Sequence, residues 1–216
     1  MQESKKIVVL ISGSGSNLQA IIDACISQQI NGVISAVISN KADAYGLTRA
    51  QNANIQTHVV DHKAFDSREA YDKVLADKIE LHNPDLVVLA GFMRILTPEF
   101  VQRFAGKMLN IHPSLLPKYQ GLNTHQRALD AKDKEHGVSV HFVTEELDGG
   151  PVVCQAAIEI TAEDTADTLA ARIHTKEHII YPLVVEWFCD NKLTMDNSLV
   201  FLNGEQLEAT GIRYAE

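Results

Sequence analysis

The sequence has few of the features that stabilise small extracellular proteins or bind charged polymers. Its three cysteines, Cys25, Cys154 and Cys189, are far apart and form no CxxC pair. An odd number of dispersed thiols is typical of a reducing compartment. The 19 Lys and Arg residues are outnumbered by 28 Asp and Glu residues, which gives a formal charge of −9. This balance argues against a nucleic-acid partner, because binding to phosphate backbones depends on clusters of basic side chains.

Long apolar runs are also missing. No segment approaches the roughly 18 consecutive apolar residues of a membrane span, and residues 1–6 lead into a short apolar strand rather than into the longer apolar stretch of a signal peptide. We therefore expect a soluble, cytoplasmic protein without a membrane partner. A length of 216 residues predicts one domain, residues 1–216.

What the sequence does contain is a regular alternation of apolar strands and amphipathic helices. The predicted strands are 6–11, 32–39, 57–60, 85–90 and 108–111, and the helices between them are 16–24, 45–52 and 67–82. A loop over 113–124, a short helix to residue 131, strands over 137–143 and 152–160, a long helix over 165–190 and a tail hairpin follow. This order predicts an α/β fold with a Rossmann-like, open, mostly parallel sheet and helices on both faces.

A glycine-rich loop, Ser12-Gly13-Ser14-Gly15-Ser16-Asn17, separates the first strand from the first helix. Open α/β sheets offer backbone N–H groups and a helix dipole to a phosphate at this position. The third glycine of a dinucleotide fingerprint is absent, because Leu18 stands in its place. The loop is therefore either a phosphate site or a tight turn with Ser16 as the helix N-cap.

The segment Asn110-Ile111-His112-Pro113 provides the main catalytic candidates. Asn110 and His112 are two residues apart on a predicted strand, so their side chains point the same way. A carboxamide beside an imidazole suits the stabilisation of an oxyanion formed when an amine attacks a carbonyl. A carboxylate from the Asp148-Gly149-Gly150-Pro151 turn would favour the imidazolium form of the ring. The alternative is a strand-end pair that only hydrogen-bonds the following loop, and spacing alone does not decide between the two.

Other motifs favour structural interpretations. His174, Glu177 and His178 fit the HxxEH pattern of some zinc peptidases, but only Glu186 offers a nearby third ligand. Ser114 lacks the GxSxG elbow of a nucleophilic serine. His141 lies on a buried-type strand, where a structural role is the simpler interpretation. We therefore expect no metal and no covalent intermediate.

The combined motifs resemble the folate-dependent formyltransferase superfamily over nearly the whole chain. They comprise 13–20 (Gly-Ser-Gly-Ser-Asn-Leu-Gln-Ala), 39–41, 90–96, 110–117, Gly137-Val138-Ser139, Leu147-Asp148-x-Gly150 and Glu177-His178. The resemblance implies a formyltransferase-type fold with a phosphate-binding half over about 1–105 and a catalytic, folate-binding half over about 106–216. It also implies a cis bond between Leu116 and Pro117.

The same resemblance implies direct transfer of a formyl group in purine biosynthesis. The amine of glycinamide ribonucleotide would attack the formyl carbon of 10-formyltetrahydrofolate, the co-substrate. Asn110 and protonated His112 would stabilise the oxyanion, and Asp148, with Ser139 near it, would support His112. Gly15, Ser16 and Asn17 would bind the phosphate, and Glu177 the ribose. The folate pocket would be lined by Arg68, Met93, Arg94, Ile95, Leu96, Asn110, Thr144, Glu145, Glu146 and Leu147.

Two departures from the family pattern lie in the loop: Gln120 replaces the usual proline, and Asn123 replaces a familiar histidine. Three other functions remain in competition. A formyltetrahydrofolate hydrolase would be expected to carry an extra N-terminal domain, and a methionyl-tRNA formyltransferase a basic C-terminal one. A sugar-phosphate binding module would use the glycine loop alone. The chain is expected to act as a monomer or homodimer on small molecules.

Overall fold

The computed structural model describes residues 3–215, so Met1, Gln2 and Glu216 of the predicted domain lie outside the described residues. The chain has an α/β fold with a mostly parallel sheet, as the alternation of strands and helices predicts. It divides after Leu109 into two compact units. No helix within residues 3–215 is both long and apolar enough to cross a bilayer.

The first unit contains the strands β1 (Lys5–Ile11), β2 (Gly32–Ser39), β3 (Thr57–Val59) and β4 (Leu86–Leu89), and the helices α1 (Ser16–Ile26), α2 (Tyr45–Asn52), α3 (Arg68–Glu80) and α4 (Pro98–Arg103). A 3-10 turn lies at His62–Ala64. The strand order is β4-β1-β2-β3, and every pair is parallel. Residues 7–11 of β1 are completely buried, as expected for a strand covered on both faces.

The strand β5 (Met108–His112) crosses from the first unit into the second. The second unit contains α5 (Thr124–Asp130), β6 (Glu135–Phe142), β7 (Val152–Glu159), α6 (Ala166–Cys189), β8 (Leu193–Asp196), β9 (Leu199–Leu202), β10 (Glu205–Gln206) and β11 (Ile212–Tyr214). Its main strand order is β5-β6-β7-β11. β6 and β7 are antiparallel, whereas β11 is parallel to β7.

Most predicted elements agree with the structure to within one or two residues, and β2 and α2 have the predicted bounds. The tail hairpin is confirmed as the antiparallel pair β8 and β9. The sequence analysis missed α4, β10 and β11. The peptide bond between Leu116 and Pro117 is cis, as the family resemblance implied.

Several contacts fasten the loop over 113–124 to the second unit. The Tyr119 hydroxyl donates to the Asp133 carboxylate at 2.8 Å, and the Lys118 ammonium pairs with the same carboxylate at 3.0 Å. The guanidinium of Arg127 lies 5.1 Å from the centre of the Tyr119 ring and donates to the Gln120 carbonyl at 2.6 Å. The loop is therefore held by side chains from α5 and from the turn just before β6.

A buried histidine lies beneath this loop. His136 is 1% exposed and its ring is edge-on to Tyr119. Its Nε2 lies 3.2 Å from Nδ1 of His125, so one of the two nitrogens donates and the other accepts. Burial, together with the neighbouring His125, lowers the pKa of His136 to about 4. The ring is therefore neutral in the folded protein at neutral pH.

This pKa predicts a loss of stability in acid. The pKa of His136 falls from an ordinary value of 6.5 to about 4 on folding, so the unfolded chain binds more protons between these two pH values. Between pH 6.5 and 4 the free energy of unfolding should fall, by at most about 3 kcal/mol for this group. Urea unfolding of His136→Gln across this range should show a shallower slope. The same slope in His136→Gln as in the unmodified chain would contradict the assignment, and His174→Gln, at an exposed histidine on α6, serves as control.

Candidate active site

The carboxyl end of β5 carries two polar side chains on one side of the strand. Asn110 and His112 are two residues apart, with Ile111 between them on the opposite side. The imidazole of His112 is nearly buried, with 7% of its side chain exposed. Pro113 follows at once and ends the strand, because it has no N–H for the ladder.

A tight turn between β6 and β7 positions the carboxylate of Asp148. Asp148 has a φ of +49°, in the left-handed region that aspartate tolerates better than most residues. Gly150 must be glycine, because a Cβ there would lie 1.9 Å from the Phe142 carbonyl oxygen. The amide of Gly149 donates to the Glu146 carbonyl at 3.1 Å and closes the turn. The Asp148 side chain is only 10% exposed.

The structure brings Asn110, His112 and Asp148 together. Their spacing in the sequence alone did not predict whether they would be in contact. Nδ1 of His112 lies 3.4 Å from one Asp148 carboxylate oxygen, and the Asn110 amide nitrogen lies 3.5 Å from the other. The opposite ring nitrogen of His112, Nε2, lies 2.9 Å from the Tyr119 carbonyl oxygen, to which it donates. The carboxylate thus lies beside the imidazole and orients it. An imidazole held in this way presents a proton on Nε2.

His141, for which the sequence favoured a structural role, is also a member of this cluster. It is 2% exposed, and its Nδ1 donates to the Phe142 carbonyl at 2.8 Å. Burial lowers its pKa, so the ring is neutral at neutral pH and Nε2 is left as an acceptor. The Asn110 amide nitrogen lies 3.1 Å from that Nε2 and donates to it. His141 therefore fixes which end of the Asn110 amide carries the N–H groups.

Ser139 precedes His141 by two residues on β6 and is completely buried. Its hydroxyl donates to the Ser114 carbonyl at 2.6 Å and accepts from the Leu116 amide at 3.0 Å. The side-chain amide of Gln155 on β7 also donates to it, at 2.8 Å. The Ser139 hydroxyl was predicted near Asp148; its bonds in the structure connect β6 to the start of the loop over 113–124.

That loop covers the polar groups of the cluster. Besides the contact of the Tyr119 carbonyl with His112, the Gly121 amide donates to an Asp148 carboxylate oxygen at 2.9 Å. The side chain of Gln120 donates to the Asp148 backbone carbonyl at 3.3 Å. Gln120 is one of the two departures from the family pattern, and a proline at this position would have no side-chain donor. Gln120 thus adds a hydrogen bond between the loop and the turn that carries Asp148.

The other predicted residues of the second unit lie near the cluster in sequence or on α6. Thr144 to Leu147 form the exposed part of the turn that ends at Asp148, and the Leu147 side chain is 49% exposed. Glu177 is buried on α6, whereas His174 and His178 on the same helix are exposed and their rings stack. Among residues 3–215, no group of three or more His, Cys, Asp or Glu side chains is arranged to bind a metal ion.

In the first unit, the glycine loop has the geometry of a helix N-terminus open to a ligand. Gly15 has a φ of +69° and lies against Gly46, where a Cβ would be 2.6 Å from the Gly46 Cα. Ser16 begins α1, so it is not the N-cap, and no side chain within the described residues caps this helix. Ser16 and Asn17 therefore lie in the first turn of α1, where backbone N–H groups point toward the N-terminal end of the helix. The Arg49 guanidinium, which sequence reasoning missed, donates to the Ser14 carbonyl at 2.8 Å and holds the loop.

The remaining predicted folate-lining residues also belong to the first unit. Arg68 is the first residue of α3, and Met93 to Leu96 follow β4. Met93 and Ile95 are 67% and 54% exposed, so two large apolar side chains of this segment face solvent. The Met93 amide donates to the Ser12 hydroxyl at 2.8 Å, and that hydroxyl donates to the Asn40 side chain at 2.6 Å. Ser12 thus links the carboxyl ends of β1, β2 and β4.

Comparison with known proteins identifies relatives over almost the full length. Residues 5–185 match the sequence pattern described as Formyl transferase. The chain is 60% identical over 205 residues to phosphoribosylglycinamide formyltransferase of Escherichia coli strain K12, covering 95% of this chain and 97% of the relative. It is 54% identical over 207 residues to the enzyme of the same name from Haemophilus influenzae, covering 96% and 98%. The solved phosphoribosylglycinamide formyltransferase of Coxiella burnetii superposes with a TM-score of 0.94 at 54% identity, covering 99% and 100%.

Proposed function

We propose that this chain, which belongs to the formyl transferase family, transfers the formyl group of 10-formyltetrahydrofolate to the amine of glycinamide ribonucleotide. The products are formylglycinamide ribonucleotide and tetrahydrofolate, and the reaction is a step of purine biosynthesis. The observation that carries this conclusion is the convergence of Asn110, His112 and Asp148 in the second unit. The names of relatives that are 54 to 60% identical support the same substrates.

The mechanism follows from the donors in the cluster. The amine nitrogen attacks the formyl carbon, which places a negative charge on the former carbonyl oxygen. The Nε2 proton of His112 and an amide proton of Asn110 donate to that oxyanion, where preorganised donors stabilise charge most effectively. His112 exchanges its bond to the Tyr119 carbonyl for this one. The C–N bond to the folate then breaks, and the amine proton passes through water to the folate nitrogen.

The binding roles are assigned on chemistry. The phosphate is placed on Gly15, Ser16 and Asn17, because an uncapped helix N-terminus binds anions. Glu177 is assigned to the ribose hydroxyls. In the first unit, Arg68 and Met93 to Leu96 are assigned to the folate, because they offer cations and exposed apolar side chains. In the second unit, Thr144 to Leu147 are assigned to it. A cytoplasmic location and a monomeric or dimeric state complete the proposal.

One assay tests this function against hydrolysis. The purified chain is mixed with 10-formyltetrahydrofolate, and tetrahydrofolate is measured with and without glycinamide ribonucleotide. We expect tetrahydrofolate to form only when the amine is present, with an equal amount of formylated product. Release of tetrahydrofolate at the same rate without the amine would identify a hydrolase instead. No release of tetrahydrofolate in either mixture would indicate that the chain is only a binding module.

Loss of either partner in the imidazole–carboxylate pair should slow catalysis. His112→Ala removes an oxyanion donor, and Asp148→Asn removes the negative charge that lies beside the His112 ring. Each should lower kcat by about 10²- to 10³-fold, the usual cost of an oxyanion-hole donor. Steady-state kinetics measures this effect, with His82→Ala in the first unit as control. A kcat within about threefold of the unmodified enzyme in either variant would contradict the assigned role.

The contact between His141 and Asn110 gives a separate prediction. His141→Leu removes the acceptor that orients the Asn110 amide, and should lower kcat by about tenfold, less than loss of a direct donor. His141→Gln can offer a carbonyl oxygen in place of Nε2 and should recover most of this loss. Equal kcat values for the two variants would show that the acceptor at this position does not matter.

A further inference from the structure

Helix α3 buries two consecutive polar residues that the proposed mechanism does not use. Tyr71 is 1% exposed and Asp72 is 2% exposed. A buried carboxylate is costly unless it is paired or hydrogen-bonded, because it loses its hydration. The contacts of Asp72 therefore indicate what offsets this cost.

One carboxylate oxygen of Asp72 accepts a hydrogen bond from the Thr97 backbone amide at 2.6 Å. Thr97 is the N-cap of α4, and its hydroxyl accepts from the Phe100 amide at 3.3 Å. It also directly follows the exposed segment from Met93 to Leu96. Since the Met93 amide is bound by Ser12 at the other end, both ends of the segment are held by side chains from other elements.

The charge of Asp72 acts on the same region. Burial raises the pKa of Asp72, and the backbone and side chain of Thr97 and the cations Arg68 and Arg94 oppose this rise. The guanidinium carbon of Arg94 lies 5.7 Å from the centre of the Tyr71 ring, within the range of a cation–π contact. Both arginines are residues assigned above to the folate. The buried Asp72 carboxylate therefore lies among groups that are proposed to bind the folate.

Three buried polar atoms of this cluster have no hydrogen-bond partner within residues 3–215. They are the Tyr71 hydroxyl, the second carboxylate oxygen of Asp72 and Nε of Arg94. Two of these atoms can donate and one can only accept. Such a set is complementary: a bridging water, or a small rotation of the Arg94 side chain, would satisfy it.

We propose that Asp72, assisted by Tyr71, is a positioning residue that holds Arg94 and the segment 93–96 in the conformation that binds the formyl-folate donor. This proposal rests on the function proposed above, because it takes the folate to bind at that segment. Asp72 itself contacts neither the folate nor the reacting atoms. Its effect should therefore appear in donor binding and not in the chemical step.

Steady-state kinetics of Asp72→Asn tests the proposal. Asparagine keeps the shape and can still accept from the Thr97 amide, but it removes the charge that acts on the arginines. We expect the KM for 10-formyltetrahydrofolate to rise about five- to tenfold, while kcat and the KM for glycinamide ribonucleotide stay within about twofold. Tyr71→Phe, which removes only a hydroxyl, should cause a smaller rise in the same KM. Asp77→Asn, an exposed aspartate on the same helix, is the matched control and should change none of the three constants.

A purely structural role would give a different result, namely a lower kcat, or a rise in both KM values, together with a lower melting temperature. That pattern, or no change in any constant, would overturn the proposal. Equilibrium binding of tetrahydrofolate, followed by intrinsic fluorescence, separates this outcome from failure of the proposed function because it requires no transfer. Weaker binding by Asp72→Asn than by Asp77→Asn supports the positioning role even in a chain that transfers no formyl group, whereas equal binding overturns it.

Discussion

The arrangement of Asn110, His112 and Asp148 depends on where one carboxylate is placed. Asp148 lies within 3.5 Å of both His112 and Asn110, and its neighbourhood also includes the neutral ring of His141 at 3.8 Å. The left-handed backbone of Asp148 and the close approach of Gly150 to Phe142 set this position. A substituent on Gly150 would move the turn, and with it the carboxylate that lies beside the His112 ring. The local geometry of a four-residue turn therefore determines the electrostatics of the site.

The sequence was informative wherever the determinant was local. Buried strands such as Leu86–Leu89 show continuous apolar character, and the two-residue spacing of Asn110 and His112 fixes a common side of β5. The helix α4 could also have been found, because Thr97-Pro98-Glu99 is a typical N-cap followed by proline and an acidic first turn. These features follow from propensity, periodicity and capping, each of which acts within a few residues.

Other features could not be read from the sequence because they depend on distant partners. The strand β11 has only three residues, Ile212–Tyr214, and exists because it pairs with β7. His141 fits the pattern of an ordinary buried strand residue. Its role in the cluster comes from its contact with Asn110, which is 31 positions earlier. Likewise, the sequence indicates only an ordinary helix cation at Arg49. Its role comes from the bond that it donates to the Ser14 carbonyl. Pairing across the fold, not local preference, gives these residues their roles.

The loop over 113–124 satisfies polar groups of the cluster. The Tyr119 carbonyl accepts the His112 proton that the mechanism assigns to the oxyanion, and the Gly121 amide occupies an Asp148 oxygen. Substrate binding would exchange protein–protein bonds for protein–substrate bonds, which changes the free energy by only about 1 kcal/mol per bond. Tyr119, with a φ of +58°, is in a left-handed conformation that costs about 1–2 kcal/mol, and the bonds of the loop offset that cost. The bond from Gln120 to the Asp148 carbonyl adds to them, so a residue that departs from the family pattern takes part in holding the loop over the cluster.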